Sequence, residues 1–163
     1  MPIDAKLKRF VLAVIESGRD LSLATRRPDG LPQANTVNYA NDGLVLYFAA
    51  AATSQKIANI QACAKVSLTI NTPYNVWTEI KGLSMAATAE VLADDTAESR
   101  EAMQRLLAKF IAAWGMSPPA EAGHIVYVRV TPTLINAINY SRGFGYNERA
   151  DIGAEDLGVE TKR

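Results

Sequence analysis

One cysteine, one histidine and no net charge leave this 163-residue sequence short of several common kinds of chemistry. A lone Cys63 excludes a disulfide framework and a Cys-x-x-Cys redox pair, and with His124 as the single imidazole there is no thiolate or imidazole metal cluster. A Ser-His-Asp hydrolase would have to be built on His124 alone. Seventeen basic residues balance 17 acidic ones. Nucleic-acid binding rests on excess cations that neutralise phosphates, so this balance argues against a DNA or RNA partner. Long apolar runs are also missing. No uncharged stretch is longer than Gly43 to Gln55, which falls short of the roughly 20 residues of a membrane span. Residues 3–16 interleave Asp4, Lys6, Lys8, Arg9 and Glu16 with apolar positions, unlike the unbroken apolar core of an export signal. The expectation is a cytoplasmic protein with no membrane partner, whose own side chains supply little reactive chemistry. No catalytic acid, base or metal ligand can be named.

No repeat or low-complexity linker interrupts the chain, and its length suits one domain, 1–163, with 150–163 expected as a mobile tail. Leu7, Phe10, Val11, Val14 and Ile15 form one apolar stripe of a helix that Gly18 ends. Leu21, Leu23 and Thr25 alternate with polar or small residues in a strand closed by Pro28-Asp29-Gly30. Residues 32–40 run back, Asp42-Gly43 makes a hairpin turn, and 44–48 form a third strand. After the small-residue run Ala49 to Ala52, Thr53 or Ser54 caps a short helix carrying Ile57 and Ile60. Val66 to Asn71 alternate as a strand, and Trp77 to Leu92 as a longer one with a bulge at Gly82. Asp95 and Glu98 read as a capping box for a helix that carries Met103 to Trp114, and Gly115, Pro118 and Pro119 stop it. Ile125–Val130 and Leu134–Asn139 make two last strands bent at Pro132, and Tyr140 onward is polar and irregular. The class is α+β, mainly β: six to seven antiparallel strands closing into a small barrel with flanking helices.

Two segments invite a ligand. The strand Gln33-Ala34-Asn35-Thr36-Val37-Asn38 carries three amide side chains, which are costly to bury without partners, and a planar ligand edge that donates and accepts hydrogen bonds would satisfy them. Thr53, Ser54 and Lys56 gather at a helix N-terminus. A cation there opposes the helix dipole unless an anion such as a phosphate lies between them. Trp77, near Tyr74, is a candidate aromatic cover for a ring.

Taken in order, Leu23-Ala24-Thr25, Pro28-Asp29-Gly30, Pro32, Asp42-Gly43, Leu46-Tyr47-Phe48, Ser54-x-Lys56-x-x-Asn59 and Lys65-Val66-Ser67-Leu68 resemble the pyridoxamine 5'-phosphate oxidase-like FMN-binding split-barrel family over about residues 20–92. The resemblance implies an antiparallel split β-barrel and a homodimer with FMN in clefts at the subunit interface, working with a small-molecule substrate or electron donor. By position it places Asn35, Thr36, Val37 and Asn38 along the flavin ring, Tyr47 and Phe48 beside the ribityl chain, and Ser54 and Lys56 at the phosphate. Lys81, with Gly82 and Ser84, corresponds to a segment that reaches the flavin. Gln55 stands where the oxidases carry Arg. Arg142-Gly143-Phe144-Gly145 replaces their C-terminal Arg-Leu-x-Pro segment, which argues against vitamin B6 oxidation. The group also contains flavin reductases, haem proteins and F420 binders.

Overall fold

Asp4 opens the chain's first helix by accepting from the Lys6 and Leu7 amides with one carboxylate oxygen, each at 2.8 Å. The computed structural model describes residues 1–114 and 123–158. The expected helix stops at Gly115, Pro118 and Pro119, and the Trp114 side chain, lie outside the described residues. The elements are α1 (Ala5–Ser17), β1 (Asp20–Arg26), β2 (Pro32–Asn38), β3 (Ala40–Asp42), β4 (Val45–Ala51), α2 (Gln55–Ala62), β5 (Lys65–Asn71), β6 (Lys81–Val91), α3 (Ala97–Trp114), β7 (Ile125–Asn139) and β8 (Asn147–Asp151). Single turns of 3-10 helix lie at Trp77–Glu79, Tyr140–Arg142 and Ala154–Leu157.

All strand pairs are antiparallel, in the order β2-β1-β5-β6-β7-β4-β3, with β8 joined to β7. The sheet curls so that β2 returns to β4. This is the expected α+β, mainly β, class, with the antiparallel sheet curled as a half-barrel. Its core is filled by inward side chains such as Leu21, Leu23, Leu46, Phe48, Ile70 and Val128, closed on one side by Leu7, Val11 and Ile15 of α1. α3 packs separately on the β3–β4–β7 side through Leu106 and Phe110 against Ala40, and through Ala102 beside Tyr47 and Leu92. No helix among the described residues is long and apolar enough to cross a membrane.

Several local expectations are corrected. The run 32–40 breaks at Tyr39, whose fully buried ring turns inward and whose hydroxyl donates to the Ile15 carbonyl at 2.6 Å. Ala49 to Ala51 are strand, paired to Tyr127, Val126 and Ile125. Gly82 is in register with Asn71 and Ile138, and the irregularity falls at Ala86/Ala87. Glycine is needed at 82 because a Cβ would stand 2.6 Å from Asn71 Oδ1 and 3.0 Å from the Ile70 carbonyl. The α3 cap is Thr96, whose hydroxyl accepts from the Ser99 amide, while Asp95 takes a left-handed turn at φ 59°. β7 continues through Pro132 as one strand. There the β6 ladder bulges, and on the other edge β4 has ended opposite Val130 and β8 has not begun until Leu134, so the missing N–H breaks no regular pairing.

The chain after Tyr140 adds β8, with Ala150 in the core and Ile152 and Leu157 packed against it. Asp151 also binds the N-terminal amine at 2.8 Å. Contacts in the stretch expected to be mobile from residue 150 thus reach Leu157, and 159–163 lie outside the described residues.

α3 is tied to the sheet by charge. Arg129 of β7 donates from one nitrogen to both Glu98 carboxylate oxygens at 2.8 Å and from the other to Glu90 at 2.6 Å, and the Tyr47 hydroxyl donates to Glu98 at 3.2 Å. Burial, then the Glu98 charge, pushes the Tyr47 hydroxyl up to about 12 from 10.0. A raised acid is stabilising while protonated, so this contribution is complete below pH 10 and is lost as pH climbs toward 12. Melting temperature should fall over that window, with Tyr39, also raised by burial, adding to the loss. Tyr47→Phe should flatten that alkaline fall, so an unaltered alkaline melting profile in that variant would contradict the assignment.

Candidate functional site

Period-two alternation divides β2 between two faces: Gln33, Asn35 and Val37 are turned inward, while Ala34, Thr36 and Asn38 are exposed. Val37 belongs to the core. The Asn38 amide bonds the Arg19 carbonyl at 3.4 Å. Of the expected strand residues, the structure thus brings Asn35 to the inner side with Gln33 and leaves Thr36 and Asn38 outside.

The inner ends of β1 and β2 meet α2 through side-chain amides. Asn59 donates to Thr25 Oγ1 and to Gln33 Oε1, both at 2.9 Å, and its own Oδ1 accepts from Gln55 Nε2 at 2.9 Å. Ser54 occupies the N-cap of α2, but its hydroxyl makes no capping bond. The expected cap bond is therefore absent and Thr53 stands exposed in the preceding turn. With Ala58 and Ile57 bonded to the Ser54 carbonyl, the Gln55 and Lys56 amides at the helix end have no backbone partner among the described residues. Lys56 is half-buried, and the ion pairs among the described residues do not include it. Asn35 Oδ1 and Ser54 Oγ are shielded from solvent yet have no partner among the described residues. A hydroxyl, two amide N–H groups and an ammonium at the start of α2 suit an anionic head, and the Asn35 acceptor on the inward face of β2 suits a polar body.

Tyr47 and Phe48 do not present side chains to that cleft. Alternation sends Phe48 into the core, fully buried, and Tyr47 to the opposite face beneath α3. Only their backbone can serve a ligand there.

Trp77 and Lys81 lie elsewhere on the same chain. Ala24, Ser67 and Ala86 stand side by side across β1, β5 and β6, and Lys81 is five residues back along β6 from Ala86. At about 3.3 Å per residue and about 4.8 Å per strand, Lys81 is about 20 Å from the Thr25–Gln33 end. Trp77 is half exposed at 51% and meets Phe144 edge to face, ring centres 5.8 Å apart, with Tyr140 at 5.4 Å from Phe144. Phe144 is 82% exposed. The aromatic group is thus Trp77, Phe144 and Tyr140; sequence reading placed Tyr74 near Trp77 and did not pair it with Phe144.

Sequence reading also missed the role of Asn59. The available signal was a polar residue on the α2 face that Ile57 and Ile60 bury, four residues after Gln55, a spacing that stacks side chains on a helix. The His124 side chain pairs with Asp94 at the surface, and Cys63 is a half-buried C-cap of α2.

Residues 7–139 match the sequence profile of the family described as pyridoxamine 5'-phosphate oxidase. No curated protein sequence matches the chain. Among solved structures it is similar to an F420 reductase, 29% identical over 76% of this chain and 93% of that one, with a TM-score of 0.59. It is also similar to a haem-binding protein from Mycobacterium smegmatis, 18% identical over 93% of this chain and 60% of that one, TM-score 0.70. A third is a Clostridium acetobutylicum protein related to general stress protein 26 of B. subtilis, 16% identical over 95% and 99%, TM-score 0.66.

Proposed function

We propose, since the chain belongs to the pyridoxamine 5'-phosphate oxidase family, that it is an FMN-binding flavoprotein acting as an oxidoreductase on a small molecule other than pyridoxamine phosphate. The observation that carries this reading is the pair of buried atoms without a partner among the described residues, Ser54 Oγ at the N-cap of α2 and Asn35 Oδ1 on the inward face of β2. Leaving such atoms unmatched costs about 1–3 kcal/mol each, a cost that a bound ligand removes. Ser54, the Gln55 and Lys56 amides and the Lys56 ammonium would hold the phosphate, and Asn35 would accept from a ribityl hydroxyl or a ring N–H. Bound FMN would supply the electron transfer. The chain supplies anchoring, orientation and the exclusion of water, consistent with its poverty in reactive side chains.

Arg142, the residue that could have begun a substrate-phosphate clamp, is engaged with Glu148 at 2.6 Å, in keeping with a substrate other than pyridoxamine phosphate. The working unit of this reading is a homodimer in which Trp77 and Lys81 of one chain serve the cleft of the other, because one chain holds them about 20 Å from its own α2 end. Similarity to an F420 reductase favours F420 as a second reading, and Arg26 and Lys65, which line a concavity on the outer side of β1, β5 and β6, would suit its longer anionic tail.

The purified protein should show the two-band visible spectrum of a flavin or acquire it on adding FMN, and NADH or NADPH should bleach it under anaerobic conditions. A colourless protein that ignores added FMN would reject the proposal. Lys56→Ala should weaken FMN by about 1–3 kcal/mol, the worth of a charge-assisted hydrogen bond; affinity that stays constant in a titration would remove Lys56 from the phosphate site.

A further inference from the structure

Asn59 has no solvent exposure at all, which for an amide is tolerable only because its groups are matched. Its bonds also have a direction. Asn59 turns its NH2 group to Thr25 Oγ1 and Gln33 Oε1 and its carbonyl to Gln55 Nε2. Gln33 must therefore face Asn59 with its carbonyl, which leaves the Gln33 NH2 group as the end it offers to the cleft. Gln33 shares the inward face of β2 with Asn35, and through Asn59 it is linked to Gln55, the first residue of α2. An ionised phosphate presents only acceptors, so a donor at this place suits it, whereas a reversed Gln33 would meet it with a second acceptor.

We propose that Asn59 is a positioning residue for ligand recognition: it fixes the polarity of the Gln33 amide so that the end of β2 donates to a phosphomonoester held at the N-terminus of α2. Asn59 does not itself touch the ligand. The inference rests on the FMN reading above and adds to it the origin of a preference for the phosphorylated ligand.

FMN and riboflavin differ by the phosphate alone, so their affinities for the full chain form the test. Asn59→Asp keeps the shape of the side chain but, when ionised, can only accept, and Gln33 must then reverse. FMN affinity at pH 9 should fall by about tenfold or more relative to wild type, the worth of one hydrogen bond to a charged group, with riboflavin changed less than about twofold. At lower pH the introduced carboxyl group takes up a proton and donates again, so the deficit against wild type at the same pH should shrink, with a midpoint above the usual carboxylate range because the site is buried. Gln33→Glu leaves Asn59 intact and puts a carboxylate oxygen where the NH2 group stood; it too should weaken FMN selectively, and it decides the matter if the Asn59→Asp chain does not fold. Equal losses for both ligands, or unchanged FMN affinity in either folded variant, would overturn the role of Asn59. A wild-type protein with no preference for FMN over riboflavin would instead overturn the phosphate site beneath it.

Discussion

Gly18→Ala should lower the unfolding free energy by about 2–4 kcal/mol, the combined expectation for overpacking and for a displaced buried hydrogen bond. Gly18 has an ordinary extended backbone, φ −76° and ψ 154°, so the cost is not conformational strain. It is collision: a Cβ at this position runs into the Tyr39 hydroxyl, with Ile70 Cγ2 at 3.0 Å. That hydroxyl satisfies the Ile15 carbonyl, one of the open carbonyls at the end of α1. Tyr39→Phe alone should cost about 1–2 kcal/mol. The double variant should be more stable than the sum of the two losses allows, since removing the hydroxyl leaves the new methyl 3.4 Å from the ring carbon that bore it. Urea unfolding of the four proteins measures this, and strict additivity would show that the two residues do not compete for the same space.

The second large effect concerns the division of the proposed site between chains. A Lys56→Glu chain should lose FMN affinity by about 100-fold, the upper range for a charged hydrogen bond. A chain carrying Trp77→Ala and Lys81→Ala should bind poorly through loss of the opposite wall. In a heterodimer of the two, one cleft collects both lesions and the other is intact, so FMN binding should return to half of the wild-type stoichiometry at wild-type affinity. If Trp77 and Lys81 serve their own chain, each cleft carries one lesion and nothing returns. Differently tagged chains, co-expressed and purified through both tags, give that answer by flavin absorbance.

The fold was largely legible because most of its elements carry their own periodicity. The α1 stripe, the alternation in Leu21 to Thr25 and in Val66 to Asn71, and the Asp42-Gly43 turn each identify an element without reference to a partner. What escaped depends on distant pairing. Asn147 to Asp151 is a polar sequence that becomes a strand because β7 offers it an edge, and Pro132 is tolerated within β7 only because of what its two neighbours do there. The site shows the same divide. Ser54 and Lys56 were visible from local chemistry at a helix start, and the amides of β2 from composition. Alternation alone would have sent Phe48 to the core, but its family position pointed to a ligand. The Asn59 amide meets partners 26 and 34 residues away, which no local pattern announces.

β7 bears β6 along one edge and shares the other between β4 and β8. It is made late: β4 at residues 45–51 pairs with residues 125–130, far downstream. During synthesis, β4 and β6 must wait with open edges until that strand has emerged, and such non-local closure is slow. A ribosome stalled or a chain cut before Ile125 would release a half-sheet whose unpaired strands are the kind that associate with one another. The most vulnerable moment for this protein therefore falls in its birth, and truncations ending in the stretch before β7 should accumulate as aggregates where the full chain does not.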